Sequence, residues 1–239
     1  MSSCQKYEPM VVSIHSPSPT EIPIVAYAYP IKFENDLHFQ ILWEPSRATK
    51  SEPYPSMTEI QRLKLVNESL KKKFKGKNLI FGSGFIGAKI VFVGEAPGAD
   101  EEKEGQPISG HSQKILNQVL RTLGINKNKI YLTNVLKYNP TGKKIPTQKE
   151  IRSYVPFLKE EIKTIGPRVV VTLGNMALNG IGLRQPLHNI HGRTFNFGSY
   201  ELVPTFHPKE AAGNPQIKIQ METDLAKVKE LLNKEVLEA

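Results

Sequence analysis

Short apolar runs alternate with amphipathic segments from about residue 61 onward. Runs rich in β-branched residues, at 89–93, 130–133 and 169–173 with a shorter one at 202–203, have the pattern of buried parallel strands. Apolar stripes at helical spacing predict helices over 60–74, 112–123, 147–165 and 223–237. This alternation predicts a three-layer α/β/α fold with a central, mostly parallel four-stranded sheet and ligands at the carboxyl ends of its strands.

The first 60 residues have a different pattern. They contain eight of the 18 prolines, a density that disfavours long helices, and two segments suited to short strands at 22–29 and 37–42. We therefore predict a Pro-rich N-terminal extension over 1–60 and one domain over 61–239. Disorder near residues 13–20 is the alternative for part of the extension.

Composition narrows the class of protein. The 239 residues are 39% hydrophobic and 23% charged, which excludes a disulfide mini-protein, a coiled coil and a mostly disordered chain. Cys4 is the single cysteine, so an intrachain disulfide, a cysteine zinc site and a four-thiolate cluster are excluded. Without an apolar run of about 18 residues or a secretory leader, we expect an intracellular protein, either in a prokaryotic cytoplasm or in a nucleus or viral factory.

The charge is distributed unevenly. The chain carries a formal charge of +9, with −3 over residues 1–60 and +12 over the remainder. Five lysines fall within residues 71–77, a run that alone is also typical of a solvated helix end. The basic part favours a polyanionic partner.

Three loops that follow predicted strands carry candidate chemistry. Residues 94–110 combine glycines, prolines and acids, which bring backbone amides and carboxylates close to a ligand. Asn134 ends the second strand and offers a donor beside an acceptor, as the edge of a base requires. His207 lies between Phe206 and Pro208, which restrict the position of its imidazole. Taken singly, each of these features is more often structural.

In combination, the motifs resemble the uracil-DNA glycosylase superfamily, closest to its iron–sulfur branch, family 4. They are Gly94-Glu-Ala-Pro-Gly98, Gly105-Gln-Pro107, Thr133-Asn-Val-Leu-Lys137, Val171-Thr-Leu-Gly174 and Pro204-Thr-Phe-His-Pro208, in this order. The resemblance covers about residues 65–235. It implies a monofunctional hydrolase of base excision repair that flips uracil out of DNA and cleaves its N-glycosidic bond without a metal.

The resemblance also implies roles for single residues. Asn134 would read the flipped base, and His207 would donate to uracil O2 as charge develops on the leaving group. Glu101 falls where the family has an acid near the attacking water, although an acid in an exposed turn is an equal alternative. Glu95 in the first loop is expected to be catalytic as well. Ala96, Gly98 and Ile108 are expected to bind the substrate, the last at the place of a stacking phenylalanine.

The chain departs from the branch at the cluster ligands. The four cysteines of the branch correspond to positions within Asn67–Leu70 and to Tyr138 and Tyr154. We therefore expect no iron–sulfur cluster and no other cofactor, with Tyr138 and Tyr154 packed into the volume of the cluster.

DNA, single- or double-stranded, is the expected partner. The expected phosphate contacts come from Lys71, Lys72, Lys73, Lys75, Lys143, Lys144, Arg193 and Lys209. Two alternatives remain open: a weak or inactive glycosylase-fold subunit that binds DNA, and a glycosylase with another base preference, such as hypoxanthine. The first alternative is supported by Ile108 and by Ala211 and Ala212 in place of wedging leucines. It includes a protein partner that binds residues 1–60.

Overall fold

The computed structural model describes residues 10–13, 24–33, 36–45, 57–140 and 146–233, with only the course of the strands given for the first three ranges. By its internal contacts the chain divides into two compact units, Met1–Met57 and Thr58–Ala239. Each unit is described by itself below.

The strands of the first unit form one antiparallel sheet. Strand β1 (Met10–Ser13) pairs with β2 (Ile24–Phe33), and β2 pairs with β3 (Asp36–Pro45) in a register that runs from Ile24 opposite Pro45 to Phe33 opposite Asp36. The segments predicted at 22–29 and 37–42 thus fall mainly in β2 and β3, both of which are longer than predicted. Most of the segment 13–20 lies outside the described residues.

The second unit is built on a six-stranded sheet. Its strands are β4 (Ser83–Gly84), β5 (Ile90–Gly94), β6 (Ile130–Asn134), β7 (Val169–Leu173), β8 (Phe195–Asn196) and β9 (Glu201–Thr205), in the order β4-β6-β5-β7-β9-β8. The central four are parallel, as predicted, and the two outer pairs are antiparallel. The outer strands have two residues each and no apolar run, so the hydrophobic pattern did not reveal them.

Helices connect and flank these strands. They are α1 (Glu59–Lys73), α2 (Ala99–Glu104), α3 (Gly110–Thr122), α4 (Gln148–Ile165), α5 (Asn175–Ile181), α6 (Leu187–Ile190), α7 (Pro208–Ala211) and α8 (Pro215–Asn233). Thr58 and Thr147 cap α1 and α4 by accepting the backbone N–H groups of Gln61 and Glu150. Helix α8 begins eight residues before the predicted start at 223. The Asn214 side chain accepts the Gln216 N–H at that end.

Side chains of the parallel strands alternate between two apolar layers. Val91 and Val93 of β5 belong to the layer that contains α4 and α5, whereas Ile90 and Phe92 pack with α3 and α8. This arrangement confirms the predicted α/β/α class. Among the described residues, no helix has both the length and the apolar character needed to cross a membrane.

Candidate active site

The loops at the carboxyl ends of the four parallel strands are joined by backbone hydrogen bonds. Val135 N–H donates to the Gly94 carbonyl and Leu136 N–H to the Glu95 carbonyl, each at 3.0 Å, which extends the pairing of β5 and β6 past their ends. Gly174 N–H donates to the Thr205 carbonyl at 2.9 Å between β7 and β9. The structure therefore brings the predicted loops to one edge of the sheet.

Asn134 has a fixed amide orientation. Its side chain is 2% exposed, and Nδ2 donates to the Pro107 carbonyl at 2.6 Å. A carbonyl only accepts, so the amide nitrogen must face Pro107 and Oδ1 must face away from it. Oδ1 lies against Gly94, where any Cβ would overlap it. The absence of a side chain at residue 94 thus makes room for the amide.

A buried ion pair holds the segment that follows Asn134. Lys137 Nζ lies 2.5 Å from Glu161 Oε2, and the hydroxyls of Thr133 and Tyr131 donate to the two oxygens of the same carboxylate at 2.9 Å. Further hydrogen bonds of this kind offset the cost of burying the two charges, and Lys137 also donates to Thr133 Oγ1. The pair ties both flanks of Asn134 to α4.

His207 is the N-cap of α7. Its Nδ1 accepts the Lys209 N–H at 3.1 Å, while the Glu210 carboxylate accepts the His207 N–H at 3.2 Å. Burial lowers the pKa of His207 to about 4; the Glu101 carboxylate opposes this shift and Lys209 adds to it. The imidazole is therefore neutral at pH 7, and because Nδ1 accepts, its proton is on Nε2.

A second buried carboxylate supports the strand end that leads to His207. Thr205 Oγ1 donates to Asp224 Oδ2 at 2.7 Å, and His191 Nδ1 lies 3.0 Å from Asp224 Oδ1. The His191 ring lies 4.7 Å from the Phe206 ring, centroid to centroid. Helix α8 and the segment after α6 thus fix the two residues that precede His207.

Glu95 follows β5, and its carboxylate lies at the start of α5. Its Oε1 accepts the Met176 N–H at 2.9 Å and lies against Gly174, where a Cβ would overlap it. Burial raises the pKa of Glu95; the Met176 N–H opposes the shift, and the charge of Glu210 adds to it. Among the described residues, Oε2 has no hydrogen-bond partner, so one oxygen of a carboxylate with raised basicity remains available.

Glu101 closes the first loop. Its Oε2 accepts the Gly98 N–H and its Oε1 the Ser109 N–H, both at 2.9 Å. Each carboxylate oxygen thus already holds a backbone group of the loop. Contact with the attacking water stays a prediction for Glu101.

The other residues expected in the pocket lie in different surroundings. Ala96 is half-buried against the group that contains Tyr138, and Gly98 is the N-cap of α2. Ile108 is 2% exposed and belongs to the apolar layer of Phe92.

The lysine-rich end of α1 lies beside the first loop. Asn78 and Asn139 both donate to the Glu102 carboxylate, at 3.2 and 2.9 Å, which connects this end of α1 and the segment after β6 to α2. Lys71 pairs with Glu68 at 2.8 Å, and the other lysines and the arginine proposed from the sequence are exposed: Lys72, Lys73, Lys75, Arg193 and Lys209. Lys143 and Lys144 lie outside the described residues.

Aromatic rings pack at the positions that correspond to cluster ligands. Phe74 and Tyr154 stack at 3.9 Å between centroids, and Tyr138 lies 5.8 Å from Tyr154. Phe157 contacts Phe74 edge-on at 6.1 Å. We call these four residues the aromatic group. They supply no thiolate and do not fit an iron–sulfur cluster. Cys4 lies outside the described residues.

Three contacts in this geometry were missed from the sequence. Those of the Pro107 carbonyl, although Pro107 lies in a recognised motif, and of the Asp224 carboxylate act across the fold and leave no local signal. Glu210 does leave one, because His207 and Glu210 have the spacing of a capping box.

The chain matches the family model of the uracil-DNA glycosylase superfamily over residues 81–232. It is similar to proteins named type-4 uracil-DNA glycosylase. The relative from Saccharolobus solfataricus is 34% identical over 67% of this chain and 79% of its own length. The relative from Thermotoga maritima is 31% identical over 74% of this chain and 98% of its own length. The chain therefore belongs to the uracil-DNA glycosylase superfamily, on the type-4 branch.

Proposed function

We propose that this protein is a monofunctional uracil-DNA glycosylase that hydrolyses the N-glycosidic bond of uracil and leaves an abasic site. The observation that carries the proposal is the pair of oriented groups at one sheet edge. These are the Asn134 amide, fixed by the Pro107 carbonyl, and the neutral His207 imidazole, fixed by the backbone of α7. The type-4 relatives support uracil in DNA as the substrate.

Asn134 is proposed to select the base. Uracil presents an N3–H donor beside the O4 acceptor, which matches Oδ1 and the second N–H of the Asn134 amide. Cytosine presents the reverse pattern and leaves buried groups unpaired. Because the Pro107 carbonyl prevents rotation of the amide, discrimination on the order of 10⁴ is expected.

His207 is proposed to stabilise the leaving group. As the glycosidic bond breaks, negative charge develops on the uracil, and the Nε2–H of a neutral imidazole donates to its O2. A preorganised donor of this kind contributes roughly 3–4 kcal/mol to catalysis. The Lys209 and Glu210 contacts hold the ring, so little reorganisation is needed during the reaction.

Glu95, in place of the Glu101 expected from the sequence, is proposed to bind and polarise the attacking water. Glu101 is proposed to fasten the loop. Glu95 has a raised pKa and an oxygen without a partner among the described residues, whereas both oxygens of Glu101 bind backbone amides. Glu95→Gln should lower kcat by about 10²-fold or more without lowering the melting temperature, because burial disfavours the charge that is removed. Glu101→Gln should lower the melting temperature as well, because an amide cannot accept at both ends.

The chain is also proposed to fold without an iron–sulfur cluster. In this proposal the packed rings of the aromatic group hold together the segments that a cluster would otherwise join. Iron analysis and a visible absorption spectrum of the purified protein test this directly. Stoichiometric iron would contradict it.

Base release from oligonucleotides with one central lesion tests the main proposal. The panel contains uracil, hypoxanthine and xanthine in single strands and, for uracil, opposite guanine. We expect release of uracil, and strong losses of it in Asn134→Asp and His207→Ala. Release of hypoxanthine in preference to uracil would instead support an altered base preference. DNA binding without release of any base would contradict the enzyme proposal.

A further inference from the structure

A cleft of about 550 Å³ opens between α4, α5 and the segment before α6. It holds two exposed arginines, Arg152 on α4 and Arg184 in that segment, and neither has an ion-pair or hydrogen-bond partner among the described residues. None of the described residues that line the cleft is acidic. A concave site with two free guanidiniums and no opposing charge favours a ligand with phosphate groups.

The remaining walls of the cleft suit a base. Ile151, Val155 and Pro186 supply apolar surface, and the side-chain amides of Gln148 and Asn179 supply donors and acceptors. An unpaired nucleotide offers an apolar face and free polar edges in addition to its phosphate. A nucleotide inside a duplex has both its faces stacked and its pairing edge occupied, so it does not match these walls.

One wall of the cleft adjoins the segment that contacts Glu95. Asn175 lines it, and its Oδ1 accepts the Leu187 N–H at 3.2 Å. The residue before Asn175 is Gly174, against which the Glu95 carboxylate lies, and the residue after it is Met176, whose N–H binds Glu95 at 2.9 Å. Because consecutive Cα atoms are about 3.8 Å apart, Asn175 brings one wall of the cleft next to the two residues that contact Glu95.

We propose that this cleft binds a second, unpaired nucleotide of the DNA strand that carries the excised base. The identity of the strand rests on the proposed function. The cleft raises the affinity for single-stranded DNA and takes no part in bond cleavage.

Binding and kinetics of paired variants test the proposal. Arg152→Gln with Arg184→Gln removes both guanidiniums, and Lys159→Gln with Lys163→Gln removes two exposed charges from the same α4 as a matched control. Asn179→Asp places a carboxylate in the cleft with almost no change in shape. Equilibrium binding uses a fluorescent 15-nucleotide single strand without uracil and the corresponding duplex, over a range of salt concentrations, and kinetics use the same strand with one uracil.

The arginine variant should bind the single strand about 10-fold more weakly, with a salt slope smaller by about 1.4, since two single-strand phosphate contacts are lost. Duplex binding should change by less than about 3-fold, kcat should be unchanged, and Asn179→Asp should also weaken single-strand binding. Single-strand binding equal to that of the lysine control, or an equal loss on the duplex, would overturn the proposal. So would binding of free dAMP as tight as that of the strand and lost in the arginine variant.

The two proposals fail separately. A wild type that releases no uracil overturns the proposed function, whereas the binding comparison on the uracil-free strand still decides the cleft.

Discussion

His207 acquires its chemistry from the backbone around it. A free histidine titrates near pH 6.5 and exchanges its proton between two nitrogens. Here the Lys209 N–H occupies Nδ1, and burial lowers the pKa to about 4. One tautomer with its donor on Nε2 therefore persists across the physiological range.

The lowered pKa of His207 predicts how stability depends on pH. Between pH 6.5 and about 4 the unfolded chain binds a proton at this residue and the folded chain does not. The contribution of neutral His207 is thus complete above pH 6.5 and declines as the pH falls towards 4. In His207→Asn, whose Oδ1 still accepts the Lys209 N–H, this part of the acid loss should disappear. Urea unfolding of both proteins at pH 7 and pH 4.5 measures it.

The variant His207→Asn also separates the role of His207 as helix cap from its role as hydrogen-bond donor. His207→Asn keeps the cap but lacks Nε2–H, so kcat should fall about 10²–10³-fold at pH 7. His207→Ala should lose the cap and the donor together and melt at a lower temperature. Equal kcat in His207→Asn and the wild type would contradict the assigned donor.

Gly94 sets the position of the Asn134 amide. A Cβ at residue 94 would overlap Asn134 Oδ1, so Gly94→Ala should displace the amide from the Pro107 carbonyl. We expect uracil release to fall by about 10²-fold, and discrimination against cytosine to weaken because the amide is no longer fixed. Single-turnover rates on uracil and cytosine strands measure both effects. Gly213→Ala, at an open position without a positive φ, is the control.

At the scale of elements, the short helix α7 orients His207 through a capping box. Glu210 accepts the His207 N–H, and its charge also raises the pKa of Glu95. Glu210→Gln keeps an acceptor and removes the charge, whereas Glu210→Ala removes both. Only the alanine variant should melt at a lower temperature, by an amount corresponding to about 0.5–2 kcal/mol.

Both Glu210 variants should lower the pKa of Glu95 and shift the acid limb of the pH–rate profile to lower pH. Thermal melting and pH–rate profiles distinguish the two effects. An unshifted profile in Glu210→Gln would show that the charge of Glu210 does not reach Glu95.

The elements predicted from the sequence are those whose own residues form a recognisable pattern. Buried strands such as β5 and β7 consist of consecutive apolar residues, and α4 opens with a Thr147–Glu150 cap. Strands β4 and β8 exist only through pairing with β6 and β9, so no pattern within their two residues predicts them. The first residues of α8 likewise depend on the Asn214 cap rather than on an apolar stripe.

In the candidate site, too, the sequence predicted some features and not others. Motif residues such as Asn134 and His207 were found because their loops follow predicted strands. Their orientation was not found, because it comes from the Pro107 carbonyl and the support of Asp224, which are distant in the sequence.

For the whole molecule, the aromatic group joins α1, the segment after β6 and α4 in one apolar cluster. A cluster of this kind stabilises the fold by burial of ring surface, which requires no thiolate and no particular oxidation state of the surroundings. On the proposal that the chain folds without an iron–sulfur cluster, this ring packing is what holds the three segments together.

Tyr154 is the residue at which the proposed structural role of the aromatic group can be measured. Its side chain is 1% exposed, it stacks on Phe74, and its hydroxyl has no partner among the described residues. Tyr154→Phe keeps the ring and removes the unpaired hydroxyl, so the free energy of unfolding should be unchanged or higher by about 1–3 kcal/mol. Tyr154→Ala should lose about 3–5 kcal/mol through the cavity it leaves. Urea unfolding of each purified variant measures these free energies, and iron analysis of the same samples shows whether any metal is bound. If the phenylalanine variant were as unstable as the alanine variant, the hydroxyl and not the ring would hold the three segments together.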